Sequence, residues 1–154
     1  MTSHREPVAT GGCQCGAVRY AFYAPLENCH VCHCRMCQRA TGGLFAALAG
    51  GQPENFAWTR GTPSFFASSN LARRGFCEKC GTPLSFQYEY AGARMYTTIG
   101  SLDEPANAPI VKQYGVESRL PWVQFCGDVP TMRTGEGADA QEYLARMRIN
   151  QKEN

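Results

Sequence analysis

Nine cysteines in 154 residues fall into short-spaced groups, and this constrains the chain more than any other feature. Cys13 and Cys15 form C-x-C; Cys32, Cys34 and Cys37 form C-x-C-x-x-C; Cys77 and Cys80 form C-x-x-C followed by Gly81. Cys29 and Cys126 stand apart from these groups. A chain of this length is one domain and buries an ordinary core, so it does not need the cross-links of much smaller secreted scaffolds. The N-terminus "MTSHREPVATGG" shows no apolar stretch behind its charges, and nowhere do about eighteen apolar residues run together. The expectation is a cytoplasmic protein with neither signal peptide nor membrane span. In a reducing compartment, paired cysteines are metal ligands or redox thiols more often than disulfides, and an odd total cannot pair completely.

The spacing sorts the thiols into two sites. Residues two apart on a strand face the same way, so each C-x-C presents two sulfurs to one point. A C-x-x-C followed by glycine suits a tight knuckle, as in "FCEKCGTPL" at 76–84. Structural zinc takes four ligands in a closed tetrahedron; catalytic zinc keeps three and an exchangeable position. Cys13, Cys15, Cys77 and Cys80 therefore read as a closed site, and Cys32, Cys34 and Cys37 as a trio with one position open. Two zinc ions per chain are expected.

Other residues carry less. Cys29 has the opposite strand parity to Cys32 and Cys34 and reads as a small buried hydrophobe. A fourth ligand from a bent strand, or a thiol able to pair with Cys32, is its other reading. Cys126, at the end of "PWVQFC", reads as a core cysteine. His30 shares the parity of Cys32 and can sit beside the open site as acid or base or serve as a satisfied structural histidine. His33 points the other way. Arg35 and Arg39 are candidates only by nearness in sequence, with a solvated surface as the plainer reading. Trp122, with the Phe and Tyr residues, reads as core. Fifteen basic against thirteen acidic side chains give +2, without a basic run longer than Arg73–Arg74, which argues against a nucleic-acid partner.

Short apolar and aromatic alternations punctuated by Gly, Pro, Asn and Asp predict a mainly β domain of short antiparallel strands. Strands are expected near 16–23, 27–34, 44–49, 56–59, 63–68, 71–77, 83–89, 94–99 and 110–117, with a loop at 103–109. Helix is expected for a turn or two after Arg35 and near 139–150, where Ala140, Leu144 and Met147 share a face. Residues 1–10 read as a disordered tail, 11–130 as the domain, and 131–154 as an extension carrying the second helix.

The order C-x-C, "CHCRMC", "GFCEKCGTPL", "IGSLD" at 99–103 and "ESRLPWV" at 117–123 resembles the glutathione-dependent formaldehyde-activating family, which includes centromere protein V type proteins. The resemblance covers about residues 11–125. It implies an Mss4-like β-tent, a structural zinc at Cys13, Cys15, Cys77 and Cys80, and a catalytic zinc at Cys32, Cys34 and Cys37. It further implies a carbon-sulfur lyase that joins glutathione or a related thiol to a small aldehyde such as formaldehyde, giving S-hydroxymethylglutathione. The other class open at this point is a non-catalytic, zinc-stabilised binding module.

Overall fold

The computed structural model describes residues 5–124, together with Gln141 and Ala145. Over residues 5–124, ten strands and one short α-helix make up the regular structure, apart from 3-10 turns. They are β1 (Ala9–Gly12), β2 (Arg19–Phe22), β3 (Glu27–Cys32), α1 (Arg35–Thr41), β4 (Ala46–Gly51), β5 (Phe56–Arg60), β6 (Ser64–Ser69), β7 (Ala72–Phe76), β8 (Pro83–Tyr88), β9 (Met95–Thr98) and β10 (Lys112–Tyr114). Short 3-10 turns follow β4, β9 and β10, and another lies in the loop before β10.

The mainly β class holds. Strands β1-β2-β5 form one sheet, and β10-β3-β4-β9-β8-β7-β6 form the other. Between the sheets lies a core of Tyr20, Phe22 and Leu84, against which Phe56 and Trp58 of β5 pack edge-on. Burying one side chain the size of Phe22 stabilises by roughly 1.5–3 kcal/mol, so this aromatic cluster is a main source of sheet-to-sheet cohesion. The "IGSLD" segment clamps the same junction from the other end. Arg19 donates to both carboxylate oxygens of Asp103, Thr10 Oγ1 donates to Asp103 Oδ2 at 2.6 Å, and Ser101 Oγ lies 2.8 Å from the Tyr20 hydroxyl.

Several expectations need correction. Ala9 and Thr10, read as part of the tail, belong to β1; Pro7 and two glycines hide a strand that pairs antiparallel with β2, the next strand in the chain. The strands pair antiparallel as expected apart from β10, which runs parallel to β3 with Lys112 opposite His30 and Tyr114 opposite Cys32. The strand expected over 27–34 ends at Cys32, because Cys34 turns out of the ladder to cap α1. The strand expected over 110–117 stops at Tyr114, because Gly115 adopts a left-handed conformation (φ 62°). The 103–109 loop is a loop apart from one 3-10 turn at Pro105–Asn107. Trp122 is 66 % exposed, as are Phe66 (65 %) and Tyr90 (66 %), so the aromatic residues are not uniformly core. Cys126 and most of the helix expected near 139–150 lie outside the described residues, although Gln141 and Ala145 are helical. No helix among the described residues is long and apolar enough to cross a membrane.

Candidate metal centres

Both predicted thiol groups assemble. Cys13 and Cys15 leave the end of β1, and Cys77 and Cys80 form the turn between β7 and β8. All four sulfurs lie within 4.8 Å of one another. Cys15 Sγ is 3.5 Å from Cys13 Sγ and 3.8 Å from Cys77 Sγ. A tetrahedral zinc with bonds of about 2.3 Å sets its sulfurs about 3.8 Å apart, so the donor set fits such an ion. The knuckle geometry explains the sequence: Gly81 N–H donates to Cys77 carbonyl at 2.8 Å, and Gly81 holds φ 76°, which a β-carbon would strain. Burial opposes ionisation of Cys80, but the hydroxyl and N–H of Thr82 outweigh it and bring that thiol down to about 6.

The trio is built by three devices in succession. Cys32 ends β3, Cys34 is the N-cap of α1 with its sulfur accepting from Cys37 N–H at 3.4 Å, and Cys37 sits inside the first turn. Their sulfurs also lie within 4.8 Å of one another. Three thiols without a fourth protein donor among the described residues match an ion with one exchangeable position. A hydrogen bond with Cys32 and the nearby Arg74 guanidinium hold the Cys37 thiol down at about 5, while the same Cys37 bond and burial push Cys32 up. One thiolate is thus already favoured in the bare trio.

Beneath the trio, the turn after β3 is fixed by the side-chain amides of Gln38, which is buried, and Gln113. His33 is fully buried, its Nε2 2.9 Å from Gln113 Oε1 on β10, and Gln38 Nε2 donates to the carbonyls of His33 (2.7 Å) and Ser118 (3.1 Å). Gly115 passes so close that a β-carbon there would lie 2.8 Å from Cys34 N. Gly115→Ala should therefore shift Cys34 and lower metal uptake at the trio while the four-cysteine site stays loaded. Metal-competition titration with a chromophoric chelator checks this, and unchanged affinity at both sites would count against it.

Above the trio opens a cavity of about 340 Å³, walled by Phe86, Tyr88, Tyr96 and Tyr114 and reached by Cys32, Cys34 and Cys37. His30 also lines it, as its parity with Cys32 required. Its Nδ1 donates to the Asn28 carbonyl at 2.7 Å, which leaves Nε2 as a lone-pair acceptor, and burial lowers the imidazole pKa. A β-bulge at Asn28–Cys29 interrupts the ladder before this point, and the alternation resumes beyond it. Cys29 is buried among the core residues around Tyr20, away from the trio. Cys29→Ala should leave the count of bound metal ions unchanged, which native mass spectrometry reads directly.

Arg35 and Arg39 do not reach the cavity; both are exposed on α1, Arg35 donating to Gln38 Oε1. The basic residue that does is Arg74 of β7, which the sequence showed only as half of the Arg73–Arg74 pair and not as a site candidate. Its only sequence signal is its place on the strand before the Cys77 knuckle, and the trio that it approaches lies four strands away in the sheet.

A small two-sheet β domain with one closed and one open cysteine centre is the class defined by fold and sites. Residues 8–117 match the family described as glutathione-dependent formaldehyde-activating enzyme, and the chain belongs to that family. An uncharacterized lyase of Schizosaccharomyces pombe is 30% identical over 82 residues, which cover 53% of this chain and 59% of that protein. The chain thus matches well under two thirds of that relative's length. The solved crystal structure of a Rhodobacter sphaeroides protein aligns with a TM-score of 0.50 at 24% identity, covering 61% of this chain and 87% of the other. That likeness supports the fold.

Proposed function

We propose that this chain is a zinc-dependent carbon-sulfur lyase that takes glutathione or a related small thiol and a small aldehyde at the Cys32, Cys34 and Cys37 centre, with a second, structural zinc at Cys13, Cys15, Cys77 and Cys80. The observation that carries the reading is the three-thiol cluster, short of one ligand, in the lining of an aromatic-walled cavity. Zinc bound there supplies an exchangeable position that accepts a thiol as its thiolate.

The chain's own groups supply the rest. Phe86, Tyr88 and Tyr96 give the cavity an apolar wall that reduces the water beside the sulfur and the carbonyl carbon, which favours addition over hydration. In the addition a carbon-sulfur bond forms, the carbonyl π pair moves to oxygen, and that oxygen takes the proton given up by the thiol. His30 lines the cavity and keeps Nε2 as an acceptor, which suits it to carry that proton. Holding thiol and aldehyde side by side removes the entropy cost of their encounter. Cytoplasmic residence follows from the same chemistry, since open thiol centres require a reducing compartment.

The test is X-ray absorption on protein carrying Co²⁺ at the trio and Zn²⁺ at the other site. Saturating glutathione should raise the cobalt count from three sulfurs to four, at about 2.3 Å. The protein should also accelerate exchange between formaldehyde and its glutathione adduct. A sulfur count that stays at three, with no change in exchange rate, would leave the non-catalytic binding module as the better account.

A further inference from the structure

Arg74 is set apart from the other arginines of its sheet by what it pairs with. Arg73 faces Glu89 at 3.9 Å and lies over the Phe65 ring, and Arg94 meets Glu27 at 3.0 Å. Arg74, one residue from Arg73 and on the opposite face of β7, forms no ion pair with a carboxylate among the described residues. Its guanidinium is held at three points instead. Nε donates to Ser68 Oγ at 3.0 Å, Nη2 donates to Cys37 Sγ at 3.4 Å, and the plane lies 4.8 Å over the ring of Phe86, its cross-strand partner. Among the described residues, no other side chain lining the cavity carries a fixed charge. The counter-charge of this cation is therefore the sulfur cluster.

The charge balance then decides what the open position accepts. Three thiolates and a divalent ion carry −1 together, which by itself repels a further anion. With Arg74 in contact the centre is neutral, and an incoming thiolate meets no net repulsion. A guanidinium is suited to this task because it stays protonated, stacks on an aromatic face, and donates from a rigid fork. We infer that Arg74 is a positioning residue that makes the trio selective for an anionic fourth ligand over a neutral one, by hydrogen-bonding and neutralising the Cys37 sulfur. The inference rests on the metal reading of the trio given above and deepens it by assigning its ligand selectivity.

The probes are 2-mercaptoethanol, which enters as a thiolate, and imidazole, which enters neutral. Both are titrated onto protein with Co²⁺ at the trio, read from the visible bands, in wild type, Arg74→Gln and Arg74→Lys. Arg74→Gln should weaken the thiol about tenfold or more and leave imidazole within about twofold, because only the anion loses a neighbouring charge. Arg74→Lys, with its charge kept, should hold the thiol-to-imidazole ratio within about threefold of wild type. Equal loss of both ligands in Arg74→Gln would reduce Arg74 to a scaffold role and overturn the inference, as would no loss at all. Should the glutamine variant fail to load, Arg74→Lys decides: a retained ratio supports selectivity by charge, and a tenfold collapse overturns it. A wild-type protein that takes no Co²⁺ at the trio would defeat the metal reading itself, and the inference with it. A trio that loads and binds thiol while all ratios stay equal defeats the inference alone.

Discussion

Cys77→Ser should abolish the cooperative melt and leave the chain insoluble or unfolded. Cys77 is 1% exposed, lies in the core with Tyr20 and Leu84, and supplies one of the four sulfurs of the closed cluster. In such a site the metal's binding energy becomes folding energy, on the order of 10 kcal/mol for structural zinc. A domain's net stability is itself only about 5–15 kcal/mol, so losing a ligand removes most of the margin. Serine also leaves a hydroxyl in an apolar pocket that a thiol fills without cost. Cys13→Ser should behave alike. Circular dichroism melts of purified variants measure the effect, and a melt at the wild-type temperature would show that the four-cysteine cluster does not hold the fold.

Cys34→Ser should do the reverse: a folded chain with one metal ion instead of two and no exchange activity. Cys34 caps α1 with an extended backbone (φ −61°, ψ 152°), and its sulfur accepts from Cys37 N–H. Serine is a preferred N-cap, better than cysteine, so the helix start keeps its hydrogen bond and the stability change should stay within about 1 kcal/mol. A hydroxyl is a far poorer partner for zinc than a thiolate, so the trio loses its ion. Native mass spectrometry and the melt together check both halves. If Cys34→Ser unfolds the protein and Cys77→Ser does not, the structural and catalytic assignments are reversed.

Spacing was enough to divide the thiols because each pair is local. Cys77 and Cys80 meet through a single turn, Cys13 and Cys15 through one extended residue, and the trio through a strand end and one helical turn. Parity likewise placed His30 with Cys32 and sent Cys29 to the core, since the bulge lies before all three of His30, Val31 and Cys32. What escaped was long-range. Arg74 reaches Cys37 only because α1 lies across the sheet, and Gly115 reaches Cys34 only because β10 returns parallel to β3. The cavity aromatics Tyr96 and Tyr114 had no pattern to distinguish them from core residues, because half-buried strands look alike whichever cavity they face.

The knuckle of Cys77 and Cys80 is the turn of the β7–β8 hairpin, and Arg74 and Phe86 are opposed across that hairpin three and six residues from its two cysteines. An ion bound at the first centre would therefore fix the register in which Arg74 is presented to the second, and a slip by one residue would offer Arg73 in its place. Linkage makes such a dependence mutual. If emptying the four-cysteine cluster weakens the ligand affinity of the trio by some factor, filling the trio must tighten the hold on the first ion by that same factor. Occupancy of the open centre by its ligand would then be read, at a distance, as resistance of the closed centre to chelators.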